Sequence, residues 1–279
     1  MNSSNATPNS VTTDHSNQSN NATNNSGNSN QSNGTINNSG NSNSNNSTNS
    51  NSSNNQSSPN NMSSSSATGA TIILKERDDK VLEERVDVTN PSTEYLNVDG
   101  KSLRVSYKNS GIYAGTWLNM GDLLACCDKY SSVRFGVIEG GPNSESYFFY
   151  NGIPTSSMPT SGTATYHGYT LISGNTPQFN HDDWLADTAQ FNADFGAKKL
   201  NGTLNVATLD PVNISADISG NSFAGKASSN TFATQANVEG KFYGENAKEL
   251  GGMFRDETQI GDDVDGAGGA WGGVFGASK

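Results

Sequence analysis

The chain has 279 residues, and 27 acidic against 16 basic side chains give it a formal net charge of −11. A chain this acidic lacks the lysine and arginine needed to displace counterions, which excludes non-specific nucleic-acid binding. No run of about 20 apolar residues occurs, so no helix is expected to span a bilayer, and no signal peptide is visible at Met1.

Residues 1–69 are almost entirely Asn and Ser, and Asp14 is their only formal charge. A segment with so few apolar side chains cannot offset the entropy of ordering its backbone. We therefore predict a disordered tether. On an exported domain such a tether is a spacer with an r.m.s. reach of about 45 Å; a low-complexity tail on a cytosolic protein is the alternative.

Residues 70–158 are predicted to form a β-rich handle domain, because turn signals come about every 8–12 residues and helical periodicity is hard to find. Asp99-Gly100 is typical of a tight hairpin turn. The segment Thr116–Tyr130 is predicted to be a short helical turn or a structured loop, and two prolines place the domain boundary within 152–159. The strands are predicted at about 71–75, 81–88, 94–98, 102–107, 132–138 and 146–150.

Residues 159–279 repeat a pattern in which two apolar residues flank a glycine at alternate positions. Because side chains of a strand alternate between faces, both apolar residues and the glycine point to one side. Eight such strands predict a closed antiparallel barrel whose lumen is filled by side chains. A ligand would then bind at the outer wall, at the loops or at the junction with the handle. The repeats are Leu200–Leu204, Val238–Phe242, Leu250–Phe254 and Trp271–Phe275, and the strands are predicted at about 162–171, 187–195, 198–206, 211–218, 221–227, 233–242, 250–256 and 269–277.

The adjacent Cys126 and Cys127 are the only cysteines of the chain. In an exported protein they would tend to oxidise, and a disulfide between neighbours closes a small ring that stiffens its loop. Reduced, buried side chains and a link to a second chain are the alternatives. The surrounding side chains can make a flat apolar contact, which makes this segment a candidate ligand site, with core packing as the alternative. They are Tyr113, Trp117, Met120 and Tyr130.

Catalysis has little support in this sequence, and we predict that the protein is not an enzyme. His167 and His181 are too isolated to form a triad, and no phosphate loop, HExxH or Gly-x-Ser-x-Gly motif occurs. His167 has the parity of the outward-facing positions and is expected to be solvated. His181 precedes two aspartates. It is either part of a metal or ligand site, or a loop histidine whose charge the two aspartates balance. The acidic run Asp262–Gly266 favours a solvated turn over a Ca²⁺ site.

Five segments of the barrel region resemble the barrel of the transferrin-binding protein B family, which is shared with neisserial heparin- and factor H-binding surface lipoproteins and with hemophilin-type haem carriers. Their order and spacing match over about 115 residues, and the single preceding β-rich domain is similar to that of the one-lobed, hemophilin-like members. The resemblance implies export to the outer membrane surface or the extracellular space, often with a lipid anchor on an N-terminal cysteine that is not visible in this chain. The segments are Gly162–Gly168, Ala193–Gly196, Gly240–Gly244, Glu249–Gly252 and Gly273–Ala277.

The resemblance also implies that the protein captures a host-derived nutrient for an outer-membrane receptor. In a first hypothesis the handle holds haem against Trp117, Met120, Cys126, Cys127 and Tyr130. Residues 70–158 contain no histidine, so an axial ligand would be one of those side chains, or His167 or His181 across the junction. In a second hypothesis, exposed loops bind a host protein of the transferrin-, complement-regulator- or heparin-binding type without a cofactor, through aromatic residues such as Tyr147, Phe149 and Trp184.

Overall fold

The protein is described here by a computed structural model that covers residues 66–77, 80–107, 113–114, 117–127, 129–174, 176–179, 184–257 and 271–279. All of these residues belong to one compact unit, Ser57–Lys279. They form β-strands and short 3-10 turns, which confirms the all-β prediction. Within these ranges no helix is long and apolar enough to cross a membrane.

The handle is an antiparallel sheet in which each strand alternates its side chains between two covered faces. One face packs against the barrel, and the other packs under a separate hairpin. In the described residues the sheet order is β2-β1-β9-β8-β7-β6-β5, and β3 pairs with β4. The strands are β1 (Gly69–Arg77), β2 (Lys80–Val88), β3 (Tyr95–Val98), β4 (Lys101–Arg104), β5 (Tyr113–Ala114), β6 (Trp117–Asn119), β7 (Leu123–Cys126), β8 (Val133–Ile138) and β9 (Ser146–Gly152).

The predicted Asp-Gly turn joins β3 to β4. Val98 pairs with Lys101, and Asp99 and Gly100 between them have φ values of 49° and 73°. Two positive φ angles in a two-residue loop define the turn whose twist matches that of a hairpin, and Asp-Gly is among the pairs that adopt it at low cost. The hairpin prediction is confirmed.

The segment Thr116–Tyr130 was expected to be a helical turn or a loop, and this expectation is wrong. It contains β6 and β7, which pair through Trp117 and Cys126, and β7 pairs in turn with β8. The strands are short, and both of their faces are covered: Trp117 points to the barrel and Leu118 to the opposite side. A period of two cannot be recognised when both parities are apolar and the run is only three or four residues long.

The predicted tether extends three residues too far, because Gly69 already belongs to β1. Ala67 and Thr68 are buried. The hydroxyl of Thr68 donates to Oδ1 of Asn151 at 2.7 Å, and its carbonyl accepts from the hydroxyl of Tyr243 at 2.8 Å. Short polar residues satisfy buried backbone and amide groups as readily as they fill a linker, so composition does not mark this boundary.

The C-terminal strands form a closed barrel in which each strand pairs with its sequence neighbours and β10 pairs with β17. All eight predicted strands are present among the described residues, and this prediction is confirmed. They are β10 (Thr163–Gly174), β11 (Leu185–Asp194), β12 (Lys199–Asn205), β13 (Val212–Ser219), β14 (Ser222–Ser228), β15 (Ala236–Tyr243), β16 (Glu249–Arg255) and β17 (Trp271–Ser278).

The lumen is filled by aromatic rings, as the repeat predicts. The rings of Phe191 and Phe275 lie 4.9 Å apart between centroids, and those of Phe223 and Phe242 lie 5.5 Å apart. Both distances are within the range of favourable aromatic pairs. The barrel interior is therefore a packed core.

Candidate functional site at the junction of handle and barrel

The handle lies on the outer wall of β10, β17, β16 and β15. Register places Leu171, Val274 and Met253 side by side on this wall, and all three are buried against the sheet. A Cβ added to Gly276 would lie 2.2 Å from Cε1 of Phe135, so the ring of the handle rests directly on the barrel backbone. Close approach of this kind requires glycine at that position. The two parts thus share one apolar core.

Charged side chains border this core on the side of β2. The guanidinium of Arg85 donates to both carboxylate oxygens of Glu239, at 2.5 and 2.7 Å, and lies 2.8 Å from Asp87. Burial alone would lower the pKa of Arg85, but its hydrogen bonds to the carboxylates outweigh this and raise it. Arg255 of the barrel lies 2.9 Å from Glu83 of the handle. Both arginines therefore bind the handle to the barrel.

A buried carboxylate closes the opposite side of the junction. Glu249, at the start of β16, is fully buried and accepts hydrogen bonds from the backbone amides of Ser131 and Ser132 at 2.9 and 2.8 Å. A carboxylate held by backbone amides forms charge-assisted hydrogen bonds that orient the segment they come from. Glu249 thereby fixes the connection between β7 and β8 against the barrel.

Four of the predicted ligand residues meet in this junction: Trp117, Cys126, Cys127 and Tyr130 are all buried in the shared core. Trp117 lies 5.7 Å from the ring of Phe135, and the hydroxyl of Tyr130 donates to the carbonyl of Gly276 at 3.4 Å. Burial raises the pKa of Tyr130. The sulfurs of Cys126 and Cys127 are joined as a disulfide.

The other predicted site residues lie elsewhere. Met120 packs on the opposite face of the sheet, and His167 is exposed on β10. Tyr113 belongs to β5 at the edge of the sheet. His181 and the acidic run Asp262–Gly266 lie outside the described residues.

Two of the three aromatic residues expected in exposed loops are not exposed. Tyr147 and Phe149 are fully buried in β9, on the sheet face away from the barrel. Their neighbours Phe148 and Tyr150 are apolar as well, because β9 is a central strand covered on both faces. Trp184 is half-buried, with its ring edge-on to Phe148 at 6.2 Å.

The side chains of the junction cluster do not fit a haem. Its two sulfurs are bonded to each other, and its phenol is hydrogen-bonded to the barrel backbone. Trp117 is buried and packs in T-shaped contact with Phe135 and Tyr169, so its ring is not exposed to a macrocycle. Among the described residues, no group of three or more side chains is arranged to hold a metal ion.

A groove of about 210 Å³ opens at the edge of the same junction. Ile72, Leu74 and Phe148 line it on the handle side. On the barrel side, register puts Ser173 beside Gly272 and Gly272 beside Arg255, one row beyond the closed row of Leu171, Val274 and Met253. Ser173 has a small side chain and Gly272 has none, which leaves open the space that the larger residues of the closed row fill.

Sequence reasoning missed the residues that hold the junction together. The pairing of Arg85 with Glu239 spans 154 positions, and neither residue belongs to a motif. One signal was present: the outward-facing positions of β16 and β17 include Met253, Val274 and Gly276, where a solvated wall would carry polar side chains. This apolar parity could have identified the covered side of the barrel.

Comparisons with known proteins agree with this architecture. Residues 158–279 match the sequence model of a family described as the C-lobe and N-lobe beta barrels of Tf-binding protein B. An uncharacterised protein of Haemophilus influenzae is 37% identical over 230 residues, covering 76% of this chain and 75% of that protein. Transferrin-binding protein B of Moraxella catarrhalis is 34% identical over 159 residues, covering 47% of this chain and 22% of that protein.

Solved structures share the fold. Transferrin binding protein B, isotype 1, from serogroup B Neisseria meningitidis is 25% identical with a TM-score of 0.53, covering 76% of this chain and 43% of that chain. A crystal structure described as a surface lipoprotein is 24% identical with a TM-score of 0.50, covering 76% of this chain and 98% of that chain. The chain spans 19–26% of the length of the curated transferrin-binding proteins B that it matches. The chain belongs to the family of transferrin-binding protein B-like β-barrel proteins.

Proposed function

We propose that this protein is displayed on the outer surface of a Gram-negative bacterium, where it captures a host protein that carries iron. It acts as a binding protein and not as an enzyme. Support comes from the family: several curated relatives bear the name transferrin-binding protein B. A lipid anchor and delivery to an outer-membrane receptor belong to the same proposal.

The observation that carries this proposal is that both interior spaces are filled. The lumen is packed with phenylalanine rings, and the core between handle and barrel is closed by Met253, Val274 and Phe135. A ligand therefore has to meet the protein at its outer surface, and protein partners bind to such surfaces through aromatic and apolar side chains set in a polar rim.

The junction groove is the described surface that suits such a contact best. Leu74 and Phe148 give it an apolar lining, and half-buried Trp184 stands beside it in contact with Phe148. Glu83 and Arg255 form its polar border. In a chain with a net charge of −11, a basic partner surface would be attracted to this site.

The test uses the full chain immobilised on a sensor, with iron-loaded transferrin and whole serum as analytes. We expect retention of an iron-carrying protein. A Trp184→Ala variant should bind it about tenfold or more weakly, because Trp184 packs against Phe148 of the groove lining and aromatic side chains often dominate such contacts. Tyr95→Ala is the matched control, because Tyr95 is exposed on β3, in the hairpin on the face of the handle sheet away from the groove.

Haem binding stays a separate prediction, which a titration with haemin tests. If serum yields no retained iron-carrying protein while haemin saturates the chain at one equivalent with a shifted Soret band, the protein-capture proposal is wrong. Loss of that band in a variant with both Cys126 and Cys127 changed to Ser would place haem at the cysteine pair. An unshifted Soret band would instead contradict haem binding.

A further inference from the structure

The side of the barrel away from the handle carries an unusual array of polar side chains. Strands β11, β12, β13 and β14 form this side, since the handle occupies the wall of the other four strands. Their outward-facing side chains border a shallow concavity of about 640 Å³. We call this surface the amide wall.

Register arranges the amide wall in two rows that run across the strands. One row contains Gln190, Thr203, Asn213 and Ser228. The next row contains Asn192, Asn201, Ser215 and Lys226. Because directly opposed side chains on adjacent strands lie about 4.5–5.5 Å apart at Cβ, each row is a closely spaced line of hydrogen-bonding groups.

The charge of this surface differs from that of the chain as a whole. Acidic residues outnumber basic ones by 27 to 16 in the sequence, yet the lining of the concavity contains no carboxylate and a single cation, Lys226. The ammonium of Lys226 is already hydrogen-bonded to Oδ1 of Asn237. The wall therefore presents neutral amides and hydroxyls.

The fold accounts for only some of these side chains: Asn192 accepts a hydrogen bond from Thr165 of the neighbouring strand, and Lys226 donates to Asn237. Asn is among the residues that strands disfavour, and Thr or Val would suit the same exposed positions better. Among the described residues, the side chains of Gln190, Asn201, Thr203, Asn213 and Ser215 have no hydrogen-bond partner in the protein. Side-chain amides both donate and accept, and here they are directed to solvent in a concave, closely spaced set.

We propose that the amide wall binds a neutral, hydroxyl-rich carbohydrate chain. Sugar hydroxyls also donate and accept, so two rows of amides and hydroxyls can pair with successive sugar units. Anionic glycans are disfavoured, because one lysine does not offset the repulsion from a chain of net charge −11. The lining contains no aromatic ring, so the affinity arises from several hydrogen bonds and grows with the number of sugar units engaged.

Host glycoconjugates and bacterial surface polysaccharides both contain neutral carbohydrate chains, and two probes separate these sources. Lacto-N-neotetraose represents neutral host glycans, and an oligomer of dextran represents neutral bacterial glucans. The sialylated form of the first probe measures the effect of charge. Each probe is titrated into the full ¹⁵N-labelled chain, with the side-chain amide signals of Asn201 and Asn213 as the readout.

The test variant carries Thr203→Val and Asn213→Val, which remove hydrogen-bonding groups while keeping strand propensity at position 203 and raising it at position 213. Thr188→Val is the matched control, because Thr188 is an exposed residue of β11 that does not line the concavity. We expect at least one neutral probe to shift both amide signals, and the double variant to bind it about tenfold more weakly, as the loss of two hydrogen bonds implies. The control should bind like the parent, and the sialylated probe should bind more weakly than its neutral form.

The preferred neutral probe identifies the source of the carbohydrate. The proposal is overturned if neither neutral probe shifts the amide signals, if the double variant binds as well as the parent, or if the sialylated probe binds more tightly than the neutral one. Thermal melting of the double variant accompanies the titration. Since neither change lowers strand propensity, a melting temperature at or above that of the parent is expected, and it separates lost binding from lost folding.

Discussion

Glycines of the barrel repeat each face a particular aromatic ring in the lumen. A Cβ added to Gly240 would lie 2.2 Å from Cζ of Phe223, and one added to Gly252 would lie 2.7 Å from Cζ of Phe275. In both cases the ring belongs to the neighbouring strand. The repeat thus pairs a ring on one strand with a missing side chain on the next, which is how a small barrel accommodates large residues in its lumen.

Gly202 offers the clearest test of this pairing. The three nearest atoms to an added Cβ all belong to the ring of Phe191, with Cδ1 at 2.3 Å and Cε1 at 2.5 Å. We expect Gly202→Ala to lower the free energy of unfolding by about 2–3 kcal/mol, the usual cost of overpacking. Urea denaturation measures the change.

Two further variants control this prediction. Phe191→Leu removes the ring atoms that collide with the Cβ of Gly202→Ala. Phe191→Leu should therefore lower the free energy of unfolding less in the Gly202→Ala background than in the parent. Gly196→Ala places its Cβ no closer than 3.5 Å to any neighbour and should be nearly neutral. Equal losses for Gly196→Ala and Gly202→Ala would refute the role assigned to the ring.

Glu145 makes the stability of the handle depend on pH, and the direction of this dependence follows from its pKa. Its carboxylate accepts hydrogen bonds from Lys101 and from the hydroxyl of Tyr147, and mainly the hydrogen bond from Lys101 lowers its pKa below the ordinary 4.5. A carboxyl with a lowered pKa in the folded state stabilises that state above its ordinary pKa, and the contribution is lost as the pH falls through the folded value.

We expect Glu145→Gln to destabilise the protein near neutral pH and to lose less stability than the parent as the pH falls below about 4.5. Urea midpoints measured across this range for both proteins give the comparison. Glu245→Gln is the control, because Glu245 is exposed in the turn between β15 and β16 and its carboxylate makes no hydrogen bond or ion pair within the described part of the chain. Parallel pH profiles for Glu145→Gln and the parent would count against the assignment.

At the scale of elements, the sequence predicted the strands best where one parity was apolar and the other polar. β13 is buried and exposed at strictly alternating positions, and its predicted bounds, 211–218, lie one residue from the observed ones. β6 and β7 were not predicted, because both of their faces are covered and their alternation disappears. The position of the candidate site was anticipated, since the junction was named, but its ion pairs join residues too distant in sequence for any local pattern.

The pair Arg85–Glu239 is expected to contribute to the attachment of the handle. Only 9% and 13% of the two side chains is exposed, so removing one partner leaves a largely buried charge. We expect Arg85→Met to cost about 2–3 kcal/mol, somewhat less than the ~3–5 kcal/mol typical of fully buried pairs. A double-mutant cycle with Glu239→Gln, followed by urea unfolding, should give a coupling energy of about 1–2 kcal/mol.

The exposed pair Lys199–Asp217 is the control for that cycle. Its atoms also approach to 2.5 Å, but 58% and 74% of the two side chains is exposed. Solvent screening limits such pairs to about 0–1 kcal/mol. If both cycles return the same coupling, burial does not distinguish the two ion pairs and the junction pair holds no special role.

At the scale of the whole molecule, handle and barrel are interdependent. One face of the sheet, including Ile72, Phe135 and Tyr150, is covered only by the barrel wall, and the apolar wall of β16 and β17 is covered only by the sheet among the described residues. Separating them would expose both surfaces to water. The junction therefore holds handle and barrel together, and the two proposed binding surfaces, the groove and the amide wall, lie on different sides of one compact unit.

The N-terminal boundary of this body can be located by truncation. The sequence predicts that the Asn/Ser-rich segment is a tether, so deletion of residues 1–65 should leave the melting temperature unchanged. Deletion of residues 1–68 should lower it, because Thr68 bonds to Val88, Asn151 and Tyr243. Three hydrogen bonds at about 1 kcal/mol each correspond to a fall of roughly 5–10 °C for a domain of this size.

Scanning calorimetry of the two truncated chains beside the full chain makes the comparison, and Thr68→Val in the full chain isolates the side-chain bond to Asn151 from the backbone bonds. That single change should account for only part of the loss, since the amide and the carbonyl of Thr68 keep their partners. A marked fall on removing residues 1–65 would contradict the tether. Equal melting temperatures for both truncations would mean that the bonds of Thr68 add nothing, and that the folded body begins at β1.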